Sequence, residues 1–178
     1  MKIRIVLLLL VAASLSRMLP HPPNFTPIAA MGLLGAAYMD KRWMAYVLPF
    51  ATLFFTDLVL NNTVYAYLYD GFTWITSIWI YLAFGLVIAI GRMILQGTIS
   101  GKHIALASLV GSTIFFLVSN YYSWQFFPFY PKTFGGLMSC YAAGIPFFGY
   151  TLLGDLVYSF ALFGAYALIV PKLQAQKA

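Results

Sequence analysis

The chain has 178 residues, of which 62% are hydrophobic and 8% charged, with a mean hydropathy of +0.87 and a formal charge of +6. A soluble domain carries about 25% charged residues, so ten basic and four acidic side chains cannot cover a water-facing surface of this size. The composition excludes a soluble globular domain, and the scattering of basic residues between apolar runs gives no nucleic-acid signature.

The expected fold class is all-α: a polytopic membrane helix bundle forming a single domain over residues 1–178, in contact with a lipid bilayer. A bilayer core takes about 20 apolar residues per helix. The first span is predicted at 3–19. Its opening, Lys2 and Arg4 followed by IVLLLLVAAS, also has the charged and apolar regions of a signal peptide. No small-x-small cleavage site precedes a polar mature start, so the segment is expected to stay as a span. The stretch SRMLPHPPNFTPIAAMG at 16–32 then forms a proline-stiffened turn, with Thr26 as a cap and Pro27 in the first turn of the next helix. Span two is predicted at 26–39. Its Gly32 and Ala36 form a small-xxx-small pair that lets another helix approach closely, either within the chain or on a transmembrane partner subunit.

Spans three, four and five are predicted near 43–60, 73–91 and 103–122. The remainder, 134–171, is too long for one simple span. Pro146 and the glycines at 135, 136, 144 and 149 point to a short re-entrant or broken helix before a sixth span at 148–170. With six transmembrane helices, one side receives Lys2, Arg4, Lys41, Arg42, Arg92, Lys102, Lys172 and Lys177, and the other only Arg17 and Lys132. By the positive-inside rule both the N- and C-termini are expected to be cytoplasmic.

That orientation places the polar, aromatic connections on the outer side: LPHPPNFT at 19–26, NNTVYAYLYDGFTW at 61–74 and SNYYSWQFFPFYPKTFGGLMSCY at 119–141. An interfacial aromatic belt accounts for part of their tyrosine and tryptophan content but not for the amides Asn24, Asn61, Asn62 and Asn120 on the same side. Two acids fall inside spans, Asp57 and Asp155, at the depth of Arg17. An ionisable residue at that depth faces the bundle interior with a partner. Either Arg17 pairs with an aspartate to lock helices together, or these groups form a polar floor beneath an outward-facing cavity. Candidate ligand contacts are Asn24, Tyr65, Tyr67, Trp74, Asn120, Tyr122, Trp124 and Asp155: aromatic walls with a few placed polar groups.

Catalytic chemistry is not expected. His21 and His103 fall on opposite faces, so no metal site is predicted, and no cofactor motif is visible. Cys140 reads as a buried structural thiol. The enzyme class is therefore set aside.

The stretches RMLPHPPNFTPIAAMGLLGA, TDL around Asp57, SNYYSW at 119–124 and YPKTFGGLMSCYAAGIPFFGYTLLGDLVYS at 130–159 resemble an uncharacterised family of bacterial and archaeal membrane proteins. Its members share an R-x-x-P-x-x-x-N-F-T-P element and a late G-L-x-x-C-Y-x-x-x-x-P-F-F segment. The resemblance implies a bacterial or archaeal plasma-membrane location. More distantly, the chain is similar to the substrate-binding S components of energy-coupling-factor vitamin transporters. Those have six helices, cytoplasmic termini and a ligand cavity closed by outer loops. Their small-residue docking pattern belongs to the first helix, whereas here it lies in span two. The expected function is a membrane subunit that binds or takes up a vitamin- or metabolite-like small molecule. The alternative is a non-transporting scaffold or assembly subunit of a larger complex.

Overall fold

The computed structural model describes residues 2–175, with side chains to 172, and every regular element among them is helical. Backbone inside a bilayer must satisfy its own N–H and C=O groups, which a single apolar segment achieves only as a helix. Six helices follow in chain order: α1 (Lys2–Ser16), α2 (Ile28–Tyr38), α3 (Arg42–Asn62), α4 (Ile78–Leu95), α5 (Gly101–Phe126) and α6 (Phe134–Ala175). A 3-10 turn at Ala66–Leu68 lies between α3 and α4. Helices α3, α4, α5 and α6 are long and apolar enough to cross a membrane. At 1.5 Å per residue α1 and α2 reach only about 22 Å and about 16 Å. Lys177, one of the residues used to orient the chain, lies outside the described residues.

The re-entrant or broken piece expected over 134–146 is replaced by one continuous helix of 42 residues with Pro146 inside it. Proline removes one N–H and crowds the carbonyl four residues earlier, but a break at membrane depth strands several backbone groups at once. The unbroken helix loses fewer hydrogen bonds. It is about 63 Å long, roughly twice the hydrocarbon thickness of a bilayer. The Gly135–Gly136 pair serves the turn that starts this helix. Gly136 lies against the Pro131 backbone so closely that no side chain fits, and its N–H reaches Thr133 Oγ1 at 3.1 Å.

Five helices form a closed ring in the order α1, α3, α4, α5, α6 and back to α1, and α2 packs against all five. The shortest helix is thus the axis of the bundle. Residues Ala29 to Ala36 are buried without interruption, which suits a helix that is apolar on every side. Small residues make this enclosure feasible. A methyl group at Gly32 would sit 2.8 Å from Phe84 Cε2, and one at Gly35 would sit 2.6 Å from Pro49 Cγ. Of the two neighbours the sequence left open for Gly32 and Ala36, the one present is internal, and neither residue is exposed.

Both ends of α2 meet charged side chains of other helices. Pro27, at its N-cap, offers no side-chain acceptor. The Asp155 carboxylate of α6 stands beside the Ala29 N–H instead. At the other end the Arg92 guanidinium of α4 donates to the carbonyls of Ala36 (3.4 Å) and Met39 (3.0 Å). An acid at the positive end and a base at the negative end both oppose the helix dipole favourably. Gly32→Leu, which overfills the α2–α4 contact, is expected to destabilise the detergent-solubilised protein by about 1–3 kcal/mol, read as a lowered Tm.

Candidate functional site

Two polar centres lie at the bundle end that carries the α5–α6 turn. The first joins α1, α3 and α4. Arg17 Nη2 stands 2.7 Å from Asp57 Oδ1, and Arg17 Nη1 also donates to Thr56 Oγ1. The second carboxylate oxygen of Asp57 accepts from Thr76 Oγ1 and from the Tyr81 hydroxyl, each at 3.2 Å. Asn61 Nδ2 reaches Thr76 Oγ1 at 3.3 Å, closing the network from behind. Asp57 is 2% exposed, so its charge is held by a guanidinium and two hydroxyls rather than by water. Nearby, burial raises the Tyr69 phenol above its ordinary pKa, against the opposing pull of a hydrogen bond with Thr76.

The second centre is a cleft. Because α2 covers only about half the bilayer thickness, the axial column above its N-terminus is not filled by helix. An open cavity of about 450 Å³ occupies that region, walled by Phe115, Phe116, Ser119 and Asn120 of α5 and by Gly144, Phe147, Phe148 and Thr151 of α6. A smaller chamber of about 80 Å³ continues inward, sharing Asn24, Phe115 and Thr151 and adding Phe84, Val87, Ala29 and Asp155. Asp155, 2% exposed, accepts from Ser112 Oγ at 2.6 Å. One helical turn deeper, Ser108 Oγ donates to Ser159 Oγ at 3.0 Å.

The turn before α2 forms part of the wall. Gly154 lets it approach, since a methyl group there would be 3.1 Å from Phe25 Cα and from the Thr26 nitrogen. Asn24 adopts a left-handed backbone (φ 64°), which asparagine tolerates better than most residues, and it lines both chambers.

Of the candidate ligand contacts, Asn24, Asn120 and Asp155 are brought together on this cleft. Tyr122 and Trp124 belong elsewhere. Tyr122 packs with Trp79, Phe126 and Phe127. Trp124 Nε1 donates to the Pro131 carbonyl at 2.9 Å while Lys132 lies over its ring and donates to the Trp124 and Phe127 carbonyls. These contacts clasp the α5–α6 turn. Tyr65, Tyr67 and Trp74 sit on the connection between α3 and α4, with Tyr67 79% and Trp74 63% exposed. Asn62 ties that connection back to α3 by bonding both the N–H and the carbonyl of Thr73. Asp155 does not share Arg17 with Asp57; it serves the α2 terminus.

The cleft residues missed from sequence are Ser112, Phe115, Phe116, Phe147, Phe148 and Thr151. A partial signal was present: Ser108 and Ser112, and Thr151, Asp155 and Ser159, recur at four-residue spacing and so share a face. His21 contacts the Pro22 carbonyl and His103 contacts Ser100 Oγ. Cys140 is buried against the Asn120 carbonyl at 3.4 Å. Among the described residues no cluster of three metal-ligating side chains occurs.

Residues 1–177 match a family model described as a family of unknown function, DUF6580. No curated protein and no solved structure matches the chain.

Asp57→Ala, which leaves the Arg17 guanidinium buried without its counter-charge, is expected to cost about 3–5 kcal/mol of stability. The paired replacement Arg17→Met with Asp57→Leu should be much milder. Unfolding of the three solubilised variants against the parent protein checks both.

Proposed function

The chain belongs to the DUF6580 family, and we propose that it is a membrane subunit that binds a small molecule in the cleft above α2, for uptake across the membrane. The observation that carries this is the cleft itself: aromatic walls from α5 and α6, amides at Asn24 and Asn120, and a buried carboxylate at the inner end. Largely apolar walls with a few placed polar groups are the usual composition of a small-molecule site. The distribution of Lys and Arg supports cytoplasmic termini and hence a cleft that opens outward, in a bacterial or archaeal plasma membrane.

The scaffold alternative would dock through the span-two face and the aromatic loops; Gly32 and Ala36 pack inside the bundle, and the loop aromatics Tyr67 and Trp74 are exposed. Uptake through this reading calls for an energy source outside the chain, and no docking face for an energising subunit is assigned.

Thr151 borders both chambers, so a larger side chain there fills the passage between them. Native mass spectrometry of gently solubilised protein should reveal a bound small mass that is lost in Thr151→Phe at unchanged Tm. A stoichiometric polypeptide with no small mass, in the parent and the variant alike, would favour the scaffold instead.

A further inference from the structure

The two buried acids are held in different ways. Asp57 is saturated by Arg17, Thr76 and Tyr81. Asp155 accepts from the Ser112 hydroxyl, with the Ala29 N–H beside it, and no basic side chain among the described residues contacts it. A carboxylate has about four lone-pair positions, so at least about half of its accepting capacity remains, beside the inner chamber. The α2 N-terminus behind it contributes only about half a positive charge, so a cation beside Asp155 would complete the compensation of its ionised form. By occupying that terminus, Asp155 also removes the position an anionic ligand would take.

The walls carry the same sign preference. Neither chamber is lined by Lys, Arg or His, and Asp155 is the one ionisable carboxylate on either lining. Phe84 and Phe115 border the inner chamber, and aromatic faces attract cations and repel anions. The sizes divide a ligand in two: about 80 Å³ suits a compact charged head, and about 450 Å³ an apolar or aromatic body.

We infer that the ligand of this cleft is an organic monocation, an amine whose ammonium head sits beside Asp155 and Phe115 while its apolar body lies between α5 and α6. This assignment rests on the small-molecule reading above and specifies its substrate class. A carboxylate or phosphate group finds no cation on the walls to receive it. An amine is therefore preferred over the corresponding amino acid.

The test uses matched panels of alkyl and aryl ammonium compounds, the isosteric alcohols and the isosteric carboxylates, for example phenethylamine, phenethyl alcohol and 3-phenylpropionate. Binding to the solubilised full chain is measured by calorimetry and by shift of Tm. Amines should bind at least about tenfold more tightly than their alcohols, and carboxylates should not bind. In Asp155→Asn, which keeps an acceptor for the Ala29 N–H, the amine preference should collapse to near parity. Should that variant fail to fold, Phe115→Leu should narrow the amine-to-alcohol affinity ratio about three- to tenfold. Alcohols or carboxylates binding as tightly as amines, or an amine preference that survives these substitutions, overturns the amine assignment and leaves the cleft as a binding site. No binding by any panel overturns both.

Discussion

An eleven-residue helix with both ends inside the bundle is the constraint on which this structure depends. Its first N–H groups and last carbonyls have no partners within the helix, and an unsatisfied backbone group in hydrocarbon costs several kcal/mol. Arg92 from α4 meets that need at the carboxyl end, and the Asp155 carboxylate from α6 faces the amino end. In doing so they also tie two ring helices to the axis. The enclosure of α2 by five neighbours in turn demands Gly32 and Gly35, because no larger residue fits between it and α3 or α4. A short axial helix inside longer surrounding helices leaves part of the axial column empty. The cleft is the geometric remainder of that mismatch, and its acid is the group that faces the amino end of the short helix.

The contrast between the two acids follows from the same arrangement. Asp57 lies where α1, α3 and the start of α4 converge, and polar groups from all three close around it. It stabilises by satisfying a guanidinium that would otherwise be buried alone. Among the described residues, Asp155 borders the inner chamber and meets Ser112 and the α2 terminus. Two residues of the same chemistry at similar predicted depth therefore have different roles, one as a clamp and the other at the inner end of a cavity.

Particular segments show how far one-dimensional reasoning reached. The apolar runs predicted six helices because length and hydropathy are local properties, and six helices are present. Pro146 does not break α6, because the penalty for proline carries less weight where the broken alternative is unsolvated. The aromatic connection over 61–74 was grouped with the α5–α6 turn by its composition, whereas Asn62 folds it back onto α3. Gly32 and Ala36 were recognised as a close-packing face, but whether the neighbour is internal is a question of three-dimensional partners. The cleft residues Ser112 and Thr151 were legible only as members of four-residue polar spacings in apolar helices.

Membrane-type composition, the all-helical class, the number of helices and the presence of a polar end follow from the sequence by itself, because each depends on residue type and local period. The identity of the axial helix, the division of labour between Asp57 and Asp155, and the joining of Asn24, Asn120 and Asp155 around one cavity were decided by the tertiary structure. These depend on which helix ends meet. That choice is made by burial of small residues against large ones and by trans-capping of backbone groups, and both link residues far apart in the chain.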